Sequence, residues 1–348
     1  MNIYTMPNGD KELGDWPARM GQDWINVVWV MTHRCFMGCP YCVGWKMGSD
    51  APKTMVDIHG VDGCIERFEK LRACTKKNMY VTISGGEPLT QKGFPELCKK
   101  LTERDFMVEL HTNLTTSAFT EWADAVDAKN VSQVMASYHG WRLDKDSAAK
   151  NLYIKNFNYA MQKDLTPVLK RVVLPDEVER MPGYVKQIKS ILPAGSPTLL
   201  WGFISGGAPK NNHEFGKSYP YAYTPKQKAI LNGLREYRRN CQKMYHDGGG
   251  FFKGMPCDAG RGFVYMSVDG IIHRCYAMRG KGIGNFSDGT INITNAPTAC
   301  PRVYCGTPFW GAWFGKNPWD YVIGAKKEDS TFCRYGAYSE ELPKYPGR

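Results

Sequence analysis

No stretch of this 348-residue sequence is apolar for long enough to cross a membrane, and Met1-Asn2-Ile3-Tyr4 does not open a basic-then-apolar leader. A cytoplasmic protein with no membrane partner is the expectation. No compact basic block interleaved with exposed aromatics is present and no nucleic-acid module is recognisable, which sets nucleic acid aside as a partner. Twelve cysteines are too few for a small disulfide scaffold in a chain of this length. Their grouping at 35/39/42, 257/275 and 300/305 points instead to ligation in a reducing compartment. Lys and Arg exceed Asp and Glu by 45 to 34, a formal charge of +11 before any cofactor is counted, and that sign weakly favours an acidic ligand. Nothing in residues 1–23 reads as a separate small recognition domain; the stretch reads as an extended lead-in with a turn at Pro7-Asn8-Gly9.

What is present is a cluster of thiols. Cys35-Phe-Met-Gly-Cys39-Pro-Tyr-Cys42 places three cysteines directly after the apolar run Ile25 to Met31. Three thiolates leave one iron of a four-iron cluster without a protein ligand, and an open position is where a cofactor can bind and be reduced. The alternative is a structural zinc site with His33 as fourth ligand. Further on, the apolar run Met79 to Ile83 ends in Ser84-Gly-Gly-Glu-Pro88. Two glycines there allow close backbone approach to a bound molecule, and Glu87 can accept from a cationic amine.

The spacing Cys35-x3-Cys39-x2-Cys42 with Tyr41 before the last cysteine, followed in order by Gly85-Gly86-Glu87-Pro88, resembles the two signature motifs of the radical SAM enzymes. The resemblance implies that Cys35, Cys39 and Cys42 hold a 4Fe-4S cluster whose open iron takes S-adenosylmethionine. It also implies reductive cleavage to a 5'-deoxyadenosyl radical, fed by a low-potential electron donor of flavodoxin or ferredoxin type. Tyr41, Gly85, Gly86 and Glu87 would lie against the cofactor.

The rest of the chain reads as alternating strands and helices. Thr54 caps a helix through Val61, Ile65, Phe68 and Leu71, and a second helix runs from Thr90 to about Thr102. Strands follow at Phe106 to His111, Val131 to Ser137, Pro167 to Leu174 and Thr198 to Ile204, with helices Ser117 to Val126, Ala148 to Lys163 and Glu177 to Ile191 between them. Cys64 and Cys74 read as core or flank residues of the first helix. The fold class is α/β, a partial (β/α)6 TIM-like barrel over residues 25–245, after a lead-in at 1–24. Polar residues at the C-terminal ends of barrel strands point toward a site. That rule offers His111-Thr112-Asn113, Ser137-Tyr138-His139 and Arg171, with Asn113, Ser137 and Arg171 foremost for the cofactor and His139 for the substrate. The loop 205–224 is long enough to lie over the site, and Thr224-Pro225 starts a helix running to Tyr245.

A second thiol set follows. Phe263 to Val268 and Ile271-Ile272 flank the hairpin turn Asp269-Gly270, bringing Cys257 and Cys275 into one neighbourhood. This stretch, with Asn285 and Gly289 after it, resembles the SPASM or twitch extension of many radical SAM enzymes. The expectation is a small auxiliary-cluster domain with a C-terminal tail over 246–348, holding one auxiliary 4Fe-4S cluster through Cys257, Cys275, Cys300 and Cys305. Cys333 is the candidate hydrogen-atom donor or alternative ligand. Asp258, His273 and Glu214 are candidate bases, Asp258 first. The aromatic tail Phe309 to Tyr321 reads as packing.

The implied activity is that of an oxidoreductase or epimerase in natural product biosynthesis. With no recognition domain in the lead-in, the expected substrate is a polar small molecule, a sugar or aminocyclitol. The alternative is maturation of a ribosomally made peptide or protein side chain by dehydrogenation, cross-linking or epimerisation. A non-catalytic electron-transfer protein is the minor alternative.

Overall fold

The computed structural model describes residues 4–5, 11–12, 23–39, 41–42, 52–194, 196, 198–202, 223–234, 256–276, 278, 280 and 282–301. Strand β1 is Trp24–Thr32, a continuous apolar run broken only by Asn26, and it is buried on both faces. It pairs in parallel with β2, Asn78–Gly85, and the sheet continues in chain order through β3, Met107–Thr112, β4, Val131–Ser137, β5, Pro167–Val173, and β6, Thr198–Gly202. This is the expected six-stranded parallel half of a barrel.

Helices connect the strands and cover one face of the sheet. They are α1, Met55–Thr75, α2, Phe94–Thr102, α3, Ala118–Ala125, the single turn α4, Gly140–Leu143, α5, Ser147–Gln162, α6, Met181–Ile191, and α7, Pro225–Leu234. Val27, Trp29, Val81, Ile83, Val108 and Leu110 alternate onto that face and meet Phe68, Leu97, Phe119 and Trp122 in the main core. Thr54 caps α1 with a reciprocal box: its hydroxyl accepts from Asp57 N at 3.1 Å, and the Asp57 carboxylate accepts from Thr54 N at 3.0 Å.

Two expectations are corrected and a third is only partly covered. The helix expected from Thr90 starts at Phe94, because Pro88–Thr90 forms a short 3-10 turn and Gly93 sits at φ 79. The helix expected from Glu177 is a 3-10 turn, Val178–Arg180, followed by α6 with Pro182 in its first turn. The helix expected to reach Tyr245 is described to Leu234, and its remainder lies outside the described residues, as do the loop 205–222 and the aromatic tail. Tyr4–Thr5 pairs antiparallel with Lys11–Glu12, and the turn expected at Pro7-Asn8-Gly9 lies outside the described residues.

The hairpin expected to open a separate small domain is part of the barrel sheet. β7, Phe263–Met266, lies parallel to β1 on its otherwise open edge, and β8, Ile271–His273, β9, Gly284–Asn285, and β10, Thr290–Ile291, continue outward antiparallel. A buried apolar strand cannot leave its edge amides in water-free space unpaired, so β1 requires a neighbour on both sides. Ten strands thus form one sheet among the described residues, in which no helix is long and apolar enough to cross a membrane.

Thr54→Ala removes the cap and the donor that Thr54 Oγ1 directs at Gln91 Oε1, 3.1 Å away. The variant should lose about 1–2 kcal/mol of stability, read from the urea midpoint at unchanged slope.

Candidate active site at the cysteine loop and strand ends

The cysteine loop leaves β1 at Thr32 and is fastened to the end of β2. Gly86 N donates to Thr32 O at 2.6 Å and Glu87 N to Arg34 O at 2.8 Å, just past a register shift between Val30 and Thr32. A Cβ on Gly85 would stand 2.3 Å from Thr32 O, and one on Gly86 only 2.1 Å from Arg34 O. The glycine pair was expected to make room for a bound molecule, yet the space beside it is filled by the loop's own backbone. The two motifs dock on each other.

Glu87 then joins β2 to β3. Its carboxylate is fully buried and accepts from Thr112 Oγ1 at 2.8 Å, Asn113 N at 2.7 Å and Leu89 N at 3.2 Å. Burial pushes its pKa up to about 7 despite these donors. The partners of this group in the structure are chain donors.

Within the loop, Cys39 is buried and Cys35 and Cys42 are half-buried, with Cys42 N donating to Cys39 O at 3.0 Å and Met37 N to Cys35 Sγ at 3.5 Å. Burial pushes the Cys39 thiol up to about 12, with the neighbouring Cys42 and Cys35 adding to the rise, and burial raises Cys35 as well. Buried thiols such as Cys35 and Cys39, which resist ionisation alone, become ligands when cations share their charge, and with Cys42 beside them this suits an iron cluster. Among the described residues no group of three or more Cys, His, Asp or Glu side chains is already drawn together around one metal ion.

His139, just beyond β4, faces this loop. Its Nδ1 is 3.2 Å from Cys39 Sγ and 3.0 Å from Tyr41 Oη, and burial, then the charges of Lys170 and Arg171, bring its pKa down to about 4. Arg171 on β5 has a side chain only 4% exposed. Its guanidinium lies 4.2 Å over the Tyr184 ring and donates through Nη2 to Glu177 at 2.8 Å, while Nε and Nη1 are buried with no partner. Asn113 Oδ1 accepts from Thr115 N at 2.9 Å and its Nδ2 is likewise buried without a partner. Ser137, half-buried, ends β4 opposite Lys170. The unpaired buried donor of Asn113 at a strand end fits a polar cofactor, whereas Arg171 lies on the helix-covered face against Tyr184 and Glu177.

The second thiol set is brought together in part. Cys275 is buried against Val28, Ala259, Phe263 and Tyr265, with Cys257 packed on the same cluster. The pairing of Pro256–Cys257 with Thr298–Ala299 delivers Cys300 to the same end. Arg274 holds this junction by donating to Ala259 O at 2.7 Å and Thr298 O at 2.9 Å. Cys305, Cys333 and Glu214 lie outside the described residues. Asp258 accepts from Arg261 Nε at 2.6 Å, and His273 lies 3.4 Å from Ser267 Oγ. Cys64 is buried in the core, whereas Cys74 is exposed, its thiol directed at Gly289 O.

Sequence reasoning missed Lys170, which alternation places on the face of β5 opposite Arg171. Burial brings its pKa down to about 8, with Glu109 opposing the fall.

Residues 29–159 match the model of the Radical SAM superfamily. This stretch is similar to a radical SAM domain. The domain works with a 4Fe-4S cluster and S-adenosylmethionine. Among solved structures, Streptococcus suis SuiB bound to S-adenosylmethionine superposes with a TM-score of 0.50 at 14% identity, over 76% of this chain and 63% of SuiB. SuiB bound to its precursor peptide SuiA gives 0.51 at 13% identity, over 78% of this chain and 64% of SuiB. The anSMEcpe protein with bound AdoMet gives 0.50 at 16% identity, over 76% of this chain and 75% of that one. The chain therefore spans less than two thirds of SuiB, and at these identities the likeness establishes the fold.

Gly86→Ala forces the cysteine loop away from β2, because the clash is with backbone rather than with a movable side chain. Iron per chain after anaerobic reconstitution should fall by about one four-iron cluster, with far-UV circular dichroism unchanged. Glu87 has a folded pKa above its unfolded value of 4.5, so its contribution is complete below that pH and is lost as the pH rises to about 7. Urea midpoints should show that contribution, up to about 3 kcal/mol, disappearing across this window, and Glu87→Gln should flatten the slope.

Proposed function

We propose that this chain is a radical SAM enzyme that oxidises or otherwise matures a peptide or protein side chain. The observation that carries the reading is the shared fold with SuiB, a protein solved with a precursor peptide bound. The sugar or aminocyclitol expected from the sequence has no counterpart in the comparisons and gives way to the peptide alternative.

In this reading Cys35, Cys39 and Cys42 hold the first cluster, and the glycine pair seats their loop. When bound, the cluster and S-adenosylmethionine supply a one-electron cleavage that yields a hydrogen-abstracting adenosyl group. Asn113 presents its unpaired donor to the cofactor's polar groups, with Ser137 and Tyr41 alongside. Cys257, Cys275, Cys300 and Cys305 would hold one auxiliary cluster, which would supply an electron acceptor for the substrate. A small acidic electron carrier supplies the first electron.

The reconstituted enzyme should be incubated anaerobically with reductant and S-adenosylmethionine beside two probes. One is a tryptic digest of a perdeuterated proteome; the other is a pool of perdeuterated glucose, galactose, glucosamine and myo-inositol. Deuterium in 5'-deoxyadenosine from the peptides supports the reading, and label from the sugars alone overturns it. Replacing Cys35, Cys39 and Cys42 together should abolish cleavage.

A further inference from the structure

The face of the sheet turned away from the helices carries a chain of buried titratable groups that the cofactor reading leaves unused. Glu109 and His111 are two residues apart on β3 and therefore share that face. Glu109 Oε1 meets His111 Nε2 at 2.6 Å, and Glu109 Oε2 accepts from Tyr80 Oη on β2. Tyr80 Oη also meets Ser132 Oγ of β4 at 2.7 Å, and Gln133 donates to the Glu109 carboxylate. Lys170 of β5 is near enough to act on both Glu109 and His111. A barrel interior built only for stability is filled with branched apolar side chains, and a buried carboxylate there is costly.

The network has a definite charge state. Burial works against the Glu109 carboxylate, but hydrogen bonds from His111, Tyr80 and Gln133 more than offset it and hold its pKa below the ordinary value. Burial, then the Lys170 charge, lowers His111, with Glu109 opposing. The pair is thus a carboxylate beside a neutral imidazole. Since the carboxylate is an acceptor only, Nε2 carries the proton and Nδ1 is the basic atom.

The register connects this pair to the second thiol set. Glu109 pairs with Thr82, and Thr82 with Val28, so the three stand at one level on one face. Val28 is the residue against which Tyr265 and Cys275 pack. Two strand spacings, about 10 Å, separate Glu109 from that cluster across the sheet.

We propose that His111 is the proton acceptor in oxidation of the substrate, with Glu109 as its positioning residue and the second thiol set as the site of the electron acceptor. This rests on the peptide-oxidation reading above. One C–H hydrogen of the substrate leaves as an atom to the adenosyl group. The remaining odd electron would go to an auxiliary iron-sulfur cluster, the electron acceptor that Cys257, Cys275 and Cys300 would hold. The proton of the adjoining N–H, O–H or S–H passes to His111 Nδ1, the C=N, C=O or C=S bond forms, and the imidazolium is left paired with Glu109.

Two measurements test this. In the reconstituted holoenzyme, deuterium exchange at histidine C2, read by mass spectrometry against pH, reports His111 directly. Its pKa should lie below the ordinary value, rise in Lys170→Met and fall further in Glu109→Gln; a pKa indifferent to both substitutions overturns the pair. With the perdeuterated peptide pool, His111→Gln should retain deuterium transfer to 5'-deoxyadenosine within about threefold of wild type while oxidised peptide falls at least about a hundredfold. Glu109→Gln should shift the pH profile of product formation to lower pH. Equal loss of transfer and product in His111→Gln, or loss of neither, overturns the acceptor role. Absence of label with the wild-type enzyme defeats the peptide reading instead, and the exchange measurement then decides the Glu109–His111 pair by itself.

Discussion

The contact on which the site depends is backbone against backbone. Gly86 N and Glu87 N donate to carbonyls on either side of His33, at an approach so close that neither Gly85 nor Gly86 could carry a Cβ. The loop that presents Cys35, Cys39 and Cys42 therefore takes its position from the end of β2. Glu87, buried and satisfied by Thr112 and Asn113, passes that position on to β3. Cysteine loop, glycine pair and the first polar strand end form one tied unit, and the unpaired nitrogen of Asn113 belongs to it.

Around this unit the two faces of the sheet do different work. The helix-covered face packs Trp29, Phe68, Phe119 and their neighbours into an ordinary core. The opposite face exchanges apolar filling for Asn26, Thr82, Tyr80, Glu109 and His111, which satisfy one another through hydrogen bonds. Charge follows the same division. Arg171 is sandwiched by Tyr184 and Glu177, whereas Lys170, the next residue, is set among Glu109, His111 and His139.

Much of this was legible from local pattern. The spacing of Cys35, Cys39 and Cys42, the Ser84 to Pro88 motif and strands such as Val131–Ser137 stand where periodicity put them, because each is set by neighbours in the chain. What escaped depends on register. The purpose of the glycine pair follows from a shift between Val30 and Thr32 that no local signal records. Arg171 was singled out over Lys170 because alternation divides a strand into two faces without saying which is covered by helices. His111 stood among the strand-end candidates, but Glu109, two residues earlier in the same alternation, gave no signal that the two would pair. The delayed start of α2 rests on the positive φ of a single glycine, Gly93.

The place of β7 beside β1 has a consequence for how the protein is made. β1 leaves the ribosome long before β7, and one of its two edges stays open until residues 263–266 have been synthesised. Until then the strand from which the cysteine loop departs is held from one side only, and its free edge invites pairing with other chains. Closure by so distant a segment makes completion of the sheet a late event in folding. The same late hairpin sets Cys275 against β1, so the order of synthesis delivers the early thiols and the late thiols to a sheet that is finished only when both are present.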